Sequence, residues 1–116
     1  MERIALINLL FDFYGQLLTD KQQKFVDLYF GHDLSLGEIA ENFGVSRQAV
    51  HDTLKRAEYV LNDYEQKLGL MGKFMFQRQQ LHEALELLDN LDGVRSSGEL
   101  TRVREILSEV LETTKK

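Results

Sequence analysis

Apolar residues recur every three or four positions along most of this chain, which reads as helices from end to end. Ile4, Ile7, Phe11, Tyr14 and Leu18 share one face of a first helix over residues 2 to 18, and Leu6, Leu9, Leu10, Phe13 and Leu17 make its other side apolar too. A helix apolar all round is either central to a core or covered by a partner, here a second chain or the C-terminal helices. Thr19-Asp20-Lys21-Gln22 has the form of a capping box and opens a second helix, facing inward with Phe25, Leu28 and Tyr29 and stopping at Gly31. Ser35-Leu36-Gly37-Glu38 is a second capping box, followed by Leu36, Ile39, Ala40 and Phe43 at inward positions and a stop at Gly44. Ser46 caps a long helix from Arg47 to about Leu68. Its stripe of Val50, Leu54, Ala57, Leu61, Tyr64 and Leu68 steps alternately by four and three residues, a heptad seam. A break over Gly69-Leu70-Met71-Gly72 precedes a fifth helix with Phe74, Leu81, Leu85, Leu88 and Leu91 inward. Residues 90 to 98 form a loop; Ser96-x-x-Glu99 caps a last helix carrying Leu100, Val103, Leu107 and Val110 on one face, and residues 113 to 116 are read as a frayed end.

The expected fold class is all-α, with about six helices. We divide it into a helical domain over residues 1–69 and a C-terminal extension over 70–116 that packs on it or on a partner subunit. Inside the first lies a helix-turn-helix, residues 35–56. Ala40 is small where two helices cross, Gly44 supplies the positive φ of the tight turn, and Val45, Val50 and Leu54 close the small core. The outward side chains of the second helix are Ser46, Arg47, Gln48, His51, Asp52, Lys55 and Arg56, the expected DNA-binding set. The first turn of such a helix meets base edges in the major groove. Arg47 suits guanine, Gln48 suits adenine, and Ser46 with the helix N-terminus suits a phosphate.

Charge complicates that assignment. The chain has 14 basic and 19 acidic residues, a net charge of -5, whereas phosphate neutralisation normally favours a basic binder. Within 35–56, Arg47, Lys55 and Arg56 are balanced by Glu38, Glu41 and Asp52. Any contact with DNA must come from a local basic patch, and Asp52 sits on the face that meets it. With 0 Cys there is no disulfide framework and no thiolate metal site, and 0 Pro beside 8 Gly favours helices joined by glycine turns. No apolar run is long enough for a membrane span, and the opening Met1-Glu2-Arg3 has no signal-peptide form, so the cytoplasm is expected. His82 and Glu86 share a helix face but have no further ligand pattern and read as a solvated face. His32 beside Asp33 reads as turn chemistry, and Tyr14, Tyr29, Tyr59 and Tyr64 as packing residues rather than base-stacking platforms. Ser46 has no His–acid partner, no glycine loop cradles a phosphate, and no catalytic carboxylates pair. We expect no enzyme and no cofactor.

The 35–56 segment resembles region 4 of the bacterial sigma-70 family through Leu36, Glu38-Ile39-Ala40, Gly44-Val45-Ser46 and Val50, supported by residues 18–23 and Phe25. The chain lacks the polymerase-binding and promoter-melting regions of a complete sigma factor. Over nearly its whole length it resembles the YlxM family of small bacterial proteins. The likeness rests on Phe13-Tyr14-Gly15-x-Leu17-Leu18-Thr19, Leu34-Ser35-Leu36-x-Glu38-Ile39-Ala40, Ser46-Arg47-Gln48-Ala49-Val50 and Lys67-Leu68-Gly69-Leu70 with Phe74. That resemblance implies a cytoplasmic, all-α protein of the signal recognition particle pathway, a family whose genes neighbour that of the particle's GTPase. The expected function is a nucleic-acid-binding regulator of that pathway. The alternative is a non-enzymatic adaptor for the particle's GTPase or RNA, with the helix-turn-helix as scaffold. Expected partners are duplex DNA or signal recognition particle RNA, the GTPase, and a second copy of the chain, because the first helix and the heptad seam leave apolar surface to cover.

Overall fold

The computed structural model describes residues 2–91, 93 and 96–113. Among them are six α-helices and no strand. They are α1 (Arg3–Tyr14), α2 (Asp20–Val26), α3 (Leu36–Phe43), α4 (Arg47–Leu68), α5 (Leu70–Asp89) and α6 (Gly98–Thr113). The chain divides into two compact units, Met1–Met71 and Gly72–Lys116.

In the first unit α4 is the spine. Val50, Leu54, Ala57 and Leu61 are buried along one side of it, against Phe25, Val26, Phe30, Ile39 and Ala40 and against Ile7, Leu10, Tyr14 and Leu18. Each large apolar side chain so enclosed contributes about 1.5–3 kcal/mol. The expected seam holds from Val50 to Leu61 and runs out beyond; Tyr64 is half-buried and stacks on Tyr14 with ring centres 5.9 Å apart, while Leu68 is exposed.

Three expectations for this unit change in detail. The first helix stops at Tyr14, and Gly15–Leu17 form a tighter 3₁₀ turn beneath the Phe11 ring. Its core face is Ile7, Leu10 and Tyr14, with Leu18 beyond the turn; Leu10, expected on the other side, is inward, Phe11 is half-buried, and Ile4 and Leu17 are exposed. The second helix widens into a π-helical turn over Asp27–Gly31. A turn closed by i→i+5 bonds brings residues five apart onto one side, so Phe30 joins Phe25 and Val26 in the core, and Leu28 and Tyr29 are only half-buried.

The junction of α4 and α5 is one residue long. Gly69 adopts φ 64° and α5 starts at Leu70, earlier than the expected break allowed. The Tyr14 hydroxyl donates to Glu65 Oε1 at 2.6 Å and accepts from the Leu70 N–H at 3.1 Å, while Glu65 also accepts from the Met71 N–H at 3.0 Å. Two N–H groups of the first turn of α5, which have no partner within the helix, are thereby satisfied. Burial, then the hydrogen bond to Glu65, raises the Tyr14 phenol above its ordinary pKa.

In the second unit Leu88 and Leu111 are buried, Arg78 donates to the Leu111 carbonyl at 3.1 Å, and Arg104 pairs with Asp89 at 2.7 Å. The inward face of α6 is Leu100, Leu107 and Leu111, turned from the expected one, so that Val103 and Val110 are exposed, as is Leu91. The hydroxyl at the start of α6 belongs to Ser97, which accepts from the Leu100 N–H at 3.3 Å; Ser96 instead donates to the Gly93 carbonyl. Positions 92, 94 and 95 of the expected loop, and 114–116 of the expected frayed end, lie outside the described residues.

Tyr14→Phe keeps the ring and removes the hydroxyl, leaving the Leu70 N–H without its acceptor. It is expected to destabilise the protein by about 1–3 kcal/mol in urea unfolding. A change within a few tenths of a kcal/mol would show that the junction does not depend on this bond.

Candidate nucleic-acid interface

The turn between α3 and α4 is set by local chemistry on both sides. At the start of α3, the Ser35 hydroxyl accepts from the Glu38 N–H at 3.1 Å, and the Glu38 carboxylate accepts from the Ser35 N–H at 3.0 Å. At its close, Gly44 is left-handed at φ 65° and ψ 35° and donates to the Ala40 carbonyl. No atom lies within 4 Å of where a Cβ would stand there, so the requirement for glycine is one of backbone conformation alone. Ser46 then caps α4, accepting from the Ala49 N–H at 3.0 Å. The Phe43 ring, partly exposed, meets Phe25 edge-on at 5.0 Å and fixes the end of α3 to α2. The arrangement is a helix-turn-helix.

Because Val50 and Leu54 face the core, helical geometry turns the intervening positions to solvent. Ser46, Arg47, Gln48, His51, Asp52, Lys55 and Arg56 are all exposed on α4 and its cap. They differ in how they are held. The Arg47 guanidinium lies against the Cα of Gly37 in the first turn of α3; a Cβ there would stand 3.0 Å from Arg47 Nε, so the missing side chain gives Arg47 its seat. Gln48 Nε2 donates to Asp52 Oδ1 at 2.9 Å, one helical turn on, and His51 Nδ1 lies 3.5 Å from the same oxygen. Asp52 therefore restrains its two polar neighbours in the free protein. Among the described residues no acid lies within salt-bridge distance of Arg47, Lys55 or Arg56.

A cavity of about 190 Å³ opens beside this face, lined by Arg3, Tyr29, Leu36, His51, Leu54, Lys55 and Glu58. Arg3 forms an ion pair with Glu58 and lies over the Phe30 ring at 5.8 Å. Arg3, Tyr29 and Gly37 join this neighbourhood without belonging to the expected set. Each reaches α4 from a separate element, and no local spacing signals the meeting.

The family model described as "Putative helix-turn-helix protein, YlxM / p13 like", UPF0122, matches residues 1–97. The chain belongs to the UPF0122 family. It is 52% identical to a UPF0122 protein of Desulforamulus reducens over 112 residues, covering 97% of this chain and 96% of the other. It is 42% identical to one from Acetivibrio thermocellus over 117 aligned positions, covering 97% and 100%. The likeness to a UPF0122 protein of Halalkalibacterium halodurans is 49% over 89 residues, covering 77% and 82%. The matched segment contains the whole helix-turn-helix and α5.

Other expected features of this UPF0122 chain are placed as follows. His32 Nδ1 is 3.0 Å from the Asp27 carbonyl and Asp33 adopts φ 59°, so both serve the turn. His82 Nε2 lies 3.5 Å from an Arg78 guanidinium nitrogen, a cation where a metal would need an open ligand. Among the described residues no three His, Asp or Glu side chains gather to hold a metal ion, and no helix is long and apolar enough to cross a membrane.

Two measurements test this geometry. Gly44→Ala forces a Cβ into the left-handed region and is expected to cost about 1 kcal/mol, with Gly44→Asn costing less; equal, negligible costs would contradict the turn. The Ser35 N–H, then its hydroxyl, holds the Glu38 carboxyl below its ordinary pKa. A depressed folded pKa adds stability above the unfolded pKa that is lost as pH falls through the folded one. Glu38→Gln keeps an acceptor for the Ser35 N–H without titrating, so between about pH 6 and pH 3 it is expected to lose less stability than the wild type. Identical pH dependence would rule out that role for Glu38.

Proposed function

We propose that this protein is a nucleic-acid-binding regulator that lays the first turns of α4 in the major groove of duplex DNA. Arg47, Gln48, His51 and Lys55 meet base edges, and Ser46 and Arg56 meet the strand backbone. The observation that carries this reading is the exposure of all seven expected contact residues beside a buried Val50–Leu54 stripe, on a helix whose entry is fixed at Gly44. Asp52 sets the conditions of binding. Gln48 must exchange its hydrogen bond with Asp52 for one with a base, and the carboxylate either accepts from a cytosine amino group or repels phosphate. Binding is therefore selective and modest, in keeping with a chain of net charge -5. Exposed Ile4, Leu17 and Tyr59 on the same unit support a homodimer presenting two such helices. We assign the regulator to the cytoplasmic signal recognition particle pathway on the strength of its likeness to YlxM proteins.

The acidic balance supports a second reading, an adaptor that binds the particle's GTPase or RNA and keeps the helix-turn-helix as scaffold.

Fluorescence anisotropy with a randomised duplex pool at several salt concentrations tests the first reading. Arg47→Ala is expected to weaken binding at least about tenfold, and Asp52→Asn to strengthen it several-fold. Unchanged affinity in Arg47→Ala contradicts the assignment. Absence of duplex binding together with recovery of the particle's RNA or GTPase favours the adaptor.

A further inference from the structure

The cavity beside α4 has a composition that the helix-turn-helix does not require. Three of its lining side chains offer cationic or ionisable nitrogen: Arg3 from the start of α1, and His51 and Lys55 from α4. Tyr29 adds a hydroxyl that makes no hydrogen bond among the described residues. Leu36 and Leu54 give an apolar wall. The single acid, Glu58, is already engaged. Its side chain is 15% exposed and that of its partner Arg3 is 60% exposed, so the carboxylate lies behind the guanidinium. An arginine held by one carboxylate still has further N–H donors to present. Lys55 has no described acid within salt-bridge reach. The lining of the cavity is thus rich in donors, and its one counter-charge pairs with Arg3.

Size narrows the occupant. At about 190 Å³ the space is smaller than the roughly 300–1,000 Å³ of pockets that enclose whole small-molecule ligands. It suits one compact group. Donors from Arg, Lys and Tyr around a small space fit a tetrahedral anion carrying several acceptor oxygens. We propose that this cavity is a phosphoryl-group site, filled by a strand phosphate of bound nucleic acid, with Arg3 and the Tyr29 hydroxyl as its donors and the positive charge of Lys55 in its lining. The site deepens the proposed function and rests on it for the source of the phosphate. His51 and Lys55 line this cavity and also belong to the face offered to the groove, so a strand following α4 passes beside it. Arg3 and Tyr29 then extend the contact surface from the helix-turn-helix to α1 and the π-helical turn.

Two titrations of the full chain separate the site from its source. The first uses inorganic phosphate, read by NMR at Tyr29, His51 and Lys55. The second uses a DNA duplex across a salt series. Arg3→Gln is expected to weaken duplex binding evenly across sequences and to lower the salt slope by about one. Tyr29→Phe is expected to weaken it several-fold at unchanged slope, and decides the matter should Arg3→Gln disturb folding. Duplex binding with wild-type affinity and slope in both variants overturns the site while leaving the proposed function standing. Saturable phosphate shifts at the three residues, lost in Arg3→Gln, with no duplex binding, support the site with free phosphate or a phosphoester as its source and remove the nucleic-acid reading. Absence of response to either probe overturns both.

Discussion

One face of α4 can be buried, and the core takes it. Val50, Leu54, Ala57 and Leu61 are enclosed by side chains from α1, α2, the π-helical turn and α3, and the rotation of α4 about its axis follows from that packing. Once Val50 and Leu54 point inward, Arg47, Gln48, His51 and Lys55 must point outward. The candidate interface is thus the geometric complement of the core stripe. A change that turns α4 by one residue loses both together.

The ends of α4 are held by different means. At its front, the left-handed Gly44 and the Ser46 cap are local devices, independent of distant residues. At its back, the Gly69 turn is secured by Tyr14 from α1, whose hydroxyl joins Glu65 to the first N–H of α5. The front fixes the start of the exposed candidate face, and the back determines where α5 begins. The same helix therefore serves as core spine, as carrier of the candidate interface and as connector, with these parts arranged along its length and around its circumference.

Local features of the fold could be read directly from the chain. The capping boxes at Thr19 and Ser35, the stop at Gly44 and the Arg47 start of α4 each depend on residues three or four apart, and each stands in the structure. Features that depend on distant packing could not be read. The widening after Val26 follows from the place Phe30 finds in the core, and periodicity assumed an unbroken α-helix. Adjacent serines at 96 and 97 offer the same chemistry, and only the position of α6 selects Ser97. The apolar residues of α6 are compatible with two neighbouring faces, so the choice of Leu111 over Val110 was not encoded in spacing. For the candidate site, the exposure of the seven α4 and cap side chains was legible because it follows from helical spacing around Val50 and Leu54. The seat of Arg47 on Gly37 and the cavity lined by Arg3 and Tyr29 were not, because they join separate elements.

The central claim is that the exposed front of α4 is where this UPF0122 protein meets its partner, and that the partner is duplex nucleic acid. NMR mapping of the full chain against a duplex pool at physiological salt tests it most directly. The account predicts amide shifts concentrated at residues 46–56 and the start of α3. Shifts confined to α5 and α6, or no response to duplex at any concentration that keeps the protein monodisperse, would contradict it.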